Sequence, residues 1–189
     1  MVGLTGAVLA GGHSSRFGSN KALYSLTNGK TLLQVSIDLL RTYCEEVLIS
    51  TSEENARAYE AYQQVGIVTD NYTDCGPLGG VEAILEACKH PWALILTCDM
   101  PAMDAETLSL QLSSIRGKDA NAIAWQTANH RLMPFPLLIR KDTLPIVREK
   151  LQAGCLKMKD LLNALDTKWM IITDEGHFKN INRTDDLLR

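Results

Sequence analysis

The sequence predicts an α/β protein, a three-layer α/β/α sandwich built on a mostly parallel, doubly wound, Rossmann-like sheet. Short apolar runs alternate with segments of helical period from one end of the chain to the other. The chain has 189 residues, 46% of them hydrophobic, and can bury the core of one such domain without disulfides or a structural metal. The sequence contains neither an internal repeat nor a linker, so residues 1–189 are predicted to form a single domain.

Seven short apolar runs are predicted to be strands, because each has the length of a strand and is bounded by turn residues. They are 4–10, 47–51, 67–69, 92–97, 122–126, 135–139 and 169–173. The run 92–97 is almost wholly apolar, which is typical of a central parallel strand that is buried on both faces.

Helices are predicted between these strands, where apolar residues recur every three or four positions. They cover about 32–43, 52–62, 81–89, 104–115, 142–153 and 161–165. Ser52 and Asp104 are suitable N-caps, Pro145 fits a first helical turn, and Gly154 fits a helix end. The stretch Asp70–Gly80 is predicted to be a long loop.

Composition and charge exclude several classes of protein. The net charge of -3 provides no basic field for a nucleic-acid backbone, so no nucleic-acid partner is expected. The apolar start 2–10 has no basic flank and is interrupted by Gly3 and Gly6, which argues against a signal peptide or a membrane span. The five cysteines are scattered and include no C-x-x-C pair, as expected of reduced thiols. We therefore expect a cytoplasmic protein with no membrane partner.

The first predicted strand runs into the segment Leu9–Lys21, whose sequence is LAGGHSSRFGSNK. Glycines let backbone N–H groups approach phosphate oxygens, Arg16 can make a bidentate contact, and Lys21 supplies a point charge. The segment is not a Walker A loop, because Gly18 is followed by serine, and it contains no G-x-G-x-x-G. It predicts another kind of anion-binding loop, suited to a triphosphate and its leaving pyrophosphate. The competing interpretation is an ordinary strand-to-helix turn.

The pattern Leu-Ala-Gly-Gly-x-Ser-x-Arg-x-Gly-x-x-Lys resembles the nucleotide-binding signature of the molybdenum cofactor guanylyltransferases, within the larger nucleotidyltransferase group that also activates sugars. Sugar-activating relatives and the cytidylyltransferases that act on molybdopterin tend to carry alanine in place of Gly11, so the resemblance favours guanine. Phe17 stands where the family frequently has methionine, and Asn20 stands where an aspartate commonly precedes the lysine. The nucleotide-binding residues implied on this segment are Leu9, Ala10, Gly11, Gly12, Ser14 and Lys21.

A second strand-to-loop junction, Asp70–Gly80, resembles the family's Gly-Pro-Leu-x-Gly segment. The resemblance implies that Asp70 lies near the guanine. A carboxylate there could accept hydrogen bonds from guanine N1 and N2, whereas cytosine offers only its exocyclic amine. Gly76 and Ser50 complete the predicted nucleotide site, and Ser50 stands where the family often has asparagine. A solvated loop aspartate is the competing interpretation of Asp70.

The third junction is Thr97-Cys98-Asp99-Met100-Pro101, at the end of the most apolar strand. A carboxylate there is costly unless it is paired, caps a helix or holds a metal. Mg²⁺ binds through one or two carboxylates together with substrate phosphates, and the family places its metal-binding aspartate in this Asp-x-Pro setting. Asp99 is therefore predicted to bind Mg²⁺ and, with Arg16 and Lys21, to be catalytic. A turn stabilised by Pro101 is the alternative.

The segment 180–187 resembles the family's closing Asn-x-Asn-Thr-Pro-x-Asp-Leu, with Arg183 and Thr184 in place of the threonine and proline. By analogy with the wider transferase group, Asn182 is the candidate second metal ligand. A helix cap at Thr184 is compatible with that role.

His130 and Arg131 lie in the loop between two predicted strands, just before Met133-Pro134. The family often has His-Pro at this point, where the acceptor substrate approaches. An exposed loop pair is the alternative interpretation. The substrate-binding residues implied by the resemblance are His130, Arg131, Asn180 and Asn182.

The resemblance implies transfer of GMP from GTP to molybdopterin, which gives the guanine dinucleotide cofactor and pyrophosphate. The implied cofactor is Mg²⁺, and the implied partners are GTP, molybdopterin and proteins of molybdenum insertion and molybdoenzyme maturation. Three alternatives stay open. They are transfer of CMP or use of another phosphorylated acceptor, a catalytically degraded GTP-binding module (suggested by Asn20, Met133 and Arg183), and a sugar-nucleotide pyrophosphorylase, against which Ser14 and the short chain argue.

Overall fold

A computed structural model of the chain describes residues 3–11, 20–115 and 120–181. Within these ranges the chain forms a seven-stranded sheet. Its strands are β1 (Leu4–Leu9), β2 (Glu46–Thr51), β3 (Gly66–Thr69), β4 (Trp92–Thr97), β5 (Ala122–Gln126), β6 (Leu132–Arg140) and β7 (Thr167–Ile171). Their order across the sheet is β3-β2-β1-β4-β6-β5-β7.

Most neighbouring strands are parallel, and β6 is the exception. β1 pairs in parallel with β2 and β4, β2 with β3, and β5 with β7, whereas β6 is antiparallel to both β4 and β5. The described strands other than β6 therefore point their carboxyl ends at one edge of the sheet, and β6 begins at that same edge. This mixed, mostly parallel sheet confirms the predicted fold class.

Helices cover both faces of the sheet. They are α1 (Leu32–Arg41), α2 (Glu53–Ala56), α3 (Pro77–Ala87), α4 (Ala105–Ser113), α5 (Leu144–Gln152) and α6 (Met158–Ala164), with short 3-10 turns at Lys21–Leu23, Arg57–Tyr59, Lys141–Thr143 and Glu175–Phe178. A side chain at Gly6 of β1 would meet Leu40 of α1, and Leu9 packs against Gly80 of α3. Gly6 and Leu9 point to opposite faces of the strand, so α1 and α3 lie on opposite sides of the sheet.

The core consists of the two helical layers packed on the central strands. Ala7 and Val8 of β1 are fully buried, and so are Ala93, Leu94 and Ile95 of β4. Helix α1 turns its apolar stripe of Leu33, Ile37 and Leu40 inward, and Thr31 caps it by accepting from the Gln34 backbone N–H at 3.0 Å. In the part of the chain that is described, no helix has the length and apolar content to cross a membrane.

The predicted strands are all present, but several boundaries differ. The predicted helix 52–62 is instead the four-residue α2 followed by a 3-10 turn. Its polar sequence has no apolar stripe that could pack against the sheet, and within α2 and the turn only Tyr59 is buried. Helix α3 begins at Pro77, inside the predicted loop, since proline needs no N–H partner in a first turn. Strand β6 begins at Leu132, earlier than predicted, and β7 ends at Ile171, earlier than predicted.

Candidate functional site

The ends of four neighbouring strands line up at the carboxyl edge of the sheet. Leu9 of β1 is in register with Ser50 of β2 and with Thr97 of β4, and Thr51 is in register with Thr69 of β3. Asp70 follows β3 and Asp99 follows β4, so the backbones that carry the two carboxylates are separated by three strand spacings, about 14 Å. In open α/β sheets this edge is where ligands bind.

Asp99 and Lys21 form an ion pair at this edge. Lys21 Nζ donates to Asp99 Oδ2 at 3.0 Å, and the two side chains are only 15% and 18% exposed. The position of Asp99 is fixed on both sides, because Cys98 N donates to the Leu9 carbonyl at 3.2 Å and Ile181 N donates to the Asp99 carbonyl at 2.8 Å. The structure thus brings together Lys21 and Asp99, two of the residues that the sequence predicts to be catalytic.

The second oxygen of Asp99 fits a cation. Asp99 Oδ1 is buried and has no hydrogen-bond partner among the described residues. A buried carboxylate oxygen without a partner is costly, and a bound cation would remove that cost. Within the described ranges, no group of three or more His, Cys, Asp or Glu side chains is arranged so that it could hold a metal ion by itself. The donor set therefore suits Mg²⁺, which binds through one or two protein carboxylates plus substrate phosphates, better than a metal held entirely by protein.

Asn20 holds the turn that carries Lys21. Its side-chain oxygen accepts from the Ala22 backbone N–H at 3.1 Å and caps the 3-10 turn Lys21–Leu23. Asparagine and aspartate cap equally well, because both provide a side-chain oxygen. Asparagine in place of the family's common aspartate at position 20 therefore preserves the local geometry of Lys21.

Asp70 lies in different surroundings. Ser50 Oγ donates to Asp70 Oδ1 at 3.0 Å, so the two predicted base-site residues are in contact. Burial raises the pKa of the Asp70 carboxyl, the Ser50 hydrogen bond opposes this, and the negative charge of Glu82 adds to it. Asp70 is thus a half-buried carboxylate whose hydrogen-bond partner is an uncharged hydroxyl.

Two glycines allow α3 to approach this carboxylate. A Cβ at Gly80 would lie 2.6 Å from both Leu9 Cδ2 and Ser50 Oγ, and one at Gly79 would lie 3.8 Å from Asp70 Oδ2. Gly76 is the N-cap of α3 with φ +57, a conformation that other residues rarely adopt. Gly76 thus contributes through its backbone geometry, and the first turn of α3 forms one wall beside Asp70.

A network of charged and polar side chains lies next to Asp70, and the sequence analysis did not predict it. Glu82 of α3 is 1% exposed, and its two oxygens accept from Arg148 Nε of α5 at 2.7 Å and from Asn71 Nδ2 at 3.0 Å. Glu86 contacts the same Asn71 and Arg148. Asn71 directly follows Asp70, so the network fixes the segment that carries this carboxylate. The available signal was a lone acidic residue inside the apolar run Val81–Leu85.

Leu9, Ala10 and Gly11 bring the end of β1 into the site mainly through their backbone. The side chains of Leu9 and Ala10 are buried, and the Ala10 N–H donates to the Ser50 carbonyl at 2.8 Å. A Cβ at Gly11 would lie 3.2 Å from Thr51 Cα and from Ser52 N. Close backbone packing against the end of β2 therefore favours glycine at position 11.

Three of the predicted acceptor-binding residues are described, and they lie at the same edge of the sheet, with the hairpin that carries two of them one to two strands away from Asp99. His130 and Arg131 lie in the hairpin between β5 and β6, where His130 is exposed with φ +58 and Arg131 pairs with Glu175. Asn180 is exposed and precedes Ile181, whose N–H reaches the Asp99 carbonyl. Gly12, Ser14, Arg16 and Asn182 lie outside the described residues.

The neighbouring thiol does not offer a nucleophile. Burial raises the pKa of Cys98 to about 12, so this thiol stays protonated at neutral pH. All five cysteines are free. The described side chains of the site are suited to positioning and electrostatics, on which phosphoryl-type transfers depend.

The chain is similar to known nucleotide-handling proteins along most of its length. It is 32% identical to a probable molybdenum cofactor guanylyltransferase of Flavobacterium johnsoniae, covering 97% of this chain and 94% of the relative. It is 29% identical to another of that name from a Geobacillus strain, covering 95% and 93%. The structure resembles molybdopterin-guanine dinucleotide biosynthesis protein A from Archaeoglobus fulgidus with a TM-score of 0.82, at 19% identity and covering 97% and 95% of the two chains.

The fold and these similarities together define a nucleotidyltransferase. Residues 6–168 match the family model described as the MobA-like NTP transferase domain. The chain belongs to this family.

Proposed function

We propose that the protein transfers GMP from GTP to molybdopterin, forming the guanine dinucleotide cofactor and releasing pyrophosphate. The observation that carries the proposal is the Asp99 carboxylate, which is paired with Lys21 through one oxygen and has its buried second oxygen without a partner in the described chain. The names of the relatives support the choice of nucleotide and acceptor.

The phosphate end of the site is assigned to the ends of β1 and β4. Asp99 is proposed to hold Mg²⁺, with Asn182, which lies outside the described residues, as second ligand. When bound, the ion would neutralise charge on the triphosphate oxygens. Lys21 then contacts the phosphates from the side of the leaving pyrophosphate, together with Arg16, which is also outside the described residues. Both cations stabilise the charge that the leaving group gains.

The base end is assigned to Asp70 and Ser50. Ser50 orients the Asp70 carboxylate through the 3.0 Å hydrogen bond to Oδ1. The remaining acceptor sites of the carboxylate can receive the N1 and N2 protons of guanine, whereas cytosine offers a single amine donor. The glycines at 79 and 80 let α3 pack closely against Ser50 and Asp70, so that the first turn of α3 forms one wall beside the carboxylate.

The acceptor end is assigned to the β5–β6 hairpin and the C-terminal segment, through His130, Arg131 and Asn180. Arg131 is a suitable ligand for a phosphate monoester, because its guanidinium can make a bidentate contact. Such a phosphate is already ionised near pH 7, so its attack on the α-phosphorus needs no general base. The protein's task is to hold the two substrates in line.

The setting we propose is the cytoplasm, since all five cysteines are free thiols. We propose proteins of molybdenum insertion and molybdoenzyme maturation as partners, which would supply the acceptor or receive the product.

A pyrophosphate-release assay tests the proposal directly. Each nucleoside triphosphate is supplied with and without molybdopterin and with and without Mg²⁺. We expect release only with GTP, molybdopterin and Mg²⁺ together. Release with CTP in preference to GTP would refute the base assignment, and tight GTP binding without any release would favour a degraded GTP-binding module.

A further inference from the structure

Tyr59 lies beneath the phosphate end of the site, on a segment that the function described above does not use. It ends the 3-10 turn that follows α2, and its side chain is fully buried. The hydroxyl lies 3.2 Å from the Ala10 carbonyl oxygen and 3.0 Å from Asn20 Oδ1. The hydroxyl therefore has one proton and two acceptors within reach, one on each side of the segment that separates β1 from Lys21.

The two acceptors matter because of what each one anchors. Ala10 follows β1, whose Leu9 carbonyl binds the backbone N–H of Cys98, the residue before Asp99. Asn20 caps the turn that begins with Lys21. The hydroxyl proton is shared by the two acceptors in a bifurcated hydrogen bond, which links the turn that begins with Lys21 to the end of β1.

The segment that carries Tyr59 is itself fixed to the end of β2. Asn20 Nδ2 donates to Asn55 Oδ1 at 3.4 Å, and Asn55 Nδ2 donates to Ser52 Oγ at 3.0 Å. The Tyr59 ring also packs edge-on against Tyr62, with ring centroids 6.4 Å apart. Burial raises the pKa of the Tyr59 phenol, so the hydroxyl remains a donor at any pH at which the protein works.

We propose that Tyr59 is a positioning residue that holds Lys21 against Asp99 by fastening the turn at Lys21 to the end of β1. The proposal rests on the function proposed above, because it assigns Tyr59 to the placement of the phosphate-binding lysine. A lysine on a long, flexible side chain is effective at a leaving group only where its backbone is held, since a small displacement of a charged group lowers the rate steeply.

The test compares Tyr59→Phe with Tyr62→Phe. Each variant removes one phenolic oxygen and keeps the ring, and Tyr62 is the matched control because its hydroxyl bonds Thr31 Oγ1 at 2.7 Å, at the N-cap of α1. We expect Tyr59→Phe to lower kcat/KM for GTP about tenfold, through both a lower kcat and a weaker affinity for GTP, and Tyr62→Phe to stay within about twofold. The two variants should have similar melting temperatures. Equal kcat/KM values in the two variants would overturn the proposal.

A double-mutant cycle with Lys21→Ala shows whether Tyr59 acts through Lys21. The readout is the Kd of Mg²⁺–GTP and of inorganic pyrophosphate by calorimetry, which does not require turnover. Tyr59→Phe should weaken binding in the wild-type background and leave it unchanged in the Lys21→Ala background. Additive losses would show a general structural role and overturn the proposal.

The test of Tyr59 can be separated from the test of the proposed function. A wild-type protein that binds GTP but releases no pyrophosphate would refute the proposed function, and the cycle would still decide the role of Tyr59.

Discussion

Asp99 and Asp70 follow strands of the same sheet and point into the same edge, yet their surroundings differ in charge. Asp99 is paired with Lys21 and keeps a buried oxygen without a partner in the described chain. Asp70 receives a hydrogen bond from the neutral hydroxyl of Ser50, and the acidic Glu82 raises its pKa further. The sheet geometry that places both residues is therefore the same, and their partners make the difference.

This difference supports the proposal that Asp99 and Asp70 bind the two ends of a nucleotide. A carboxylate beside a lysine belongs where phosphate oxygens and a metal ion bring alternating charges together. A carboxylate without a positive partner favours neutral N–H donors, such as those on the edge of a base. Substitutions at one proposed end therefore test whether the other end responds.

The largest effect is expected at the phosphate end. Asp99→Asn keeps the size of the side chain but removes the charge that would hold the metal ion. We expect kcat for pyrophosphate release to fall about a thousandfold, because a metal ion contributes several kcal/mol to such transfers. The preference for GTP over CTP in binding should persist.

The matched control is Asp104→Asn on the same segment. Asp104 caps α4 by accepting from the Thr107 N–H at 2.8 Å, and asparagine caps equally well. Its turnover should remain within about twofold of wild type. Turnover by Asp99→Asn at the wild-type rate with Mg²⁺ would refute the metal assignment.

An intermediate effect is expected at the base end. Asp70→Asn replaces one acceptor oxygen by a donor that opposes the guanine N1 proton. We expect the ratio of kcat/KM for GTP over CTP to fall about ten- to a hundredfold, as when a bidentate base contact of about 1–3 kcal/mol is lost. Asp74→Asn makes the same chemical change on the exposed part of the same loop and should leave the ratio unaltered. An unchanged ratio in Asp70→Asn would show that the base is selected elsewhere.

The pH dependence of stability and of GTP affinity at acidic pH should show a contribution from Asp70. Because the pKa of Asp70 is raised, the folded protein holds this proton at pH values where the unfolded chain has lost it. The free energy of unfolding should therefore fall as pH rises through that window, and Asp70→Asn should remove this part of the slope and melt higher than wild type at neutral pH. GTP affinity should change in the opposite sense, since it needs the ionised carboxylate and is lost as pH falls through the raised pKa. Thermal melts and GTP titrations at the same pH values check both trends.

The strands and the three junctions could be predicted because a buried parallel sheet requires apolar runs and brings its carboxyl ends together. The antiparallel direction of β6 could also be predicted, because the connection 127–131 between β5 and β6 is too short for the crossover that two parallel strands need. The contact of Ser50 with Asp70 follows from register, which local sequence does not encode.

The supporting residues could not be predicted in the same way. Tyr59 lies on a polar segment whose helical pattern is weak, and its partners Ala10 and Asn20 are distant in sequence. Arg148 meets Glu82 only because α3 and α5 pack side by side. Such contacts depend on tertiary packing, which single-sequence patterns do not contain.

The smallest effect is expected at Gly11, which connects the two ends. A Cβ there would crowd Thr51, whose carbonyl accepts the backbone N–H of Asp70 at 3.2 Å. We expect Gly11→Ala to destabilise the fold by about 1 kcal/mol and to displace Asp70 slightly, lowering the GTP-over-CTP ratio about threefold. In the Asp70→Asn background the same change should leave the ratio unaltered, because the displaced carboxylate is already absent. If Gly11→Ala lowered the ratio in both backgrounds alike, Gly11 would act on the base directly, and the preference for guanine would belong to the glycine-rich segment as well as to Asp70.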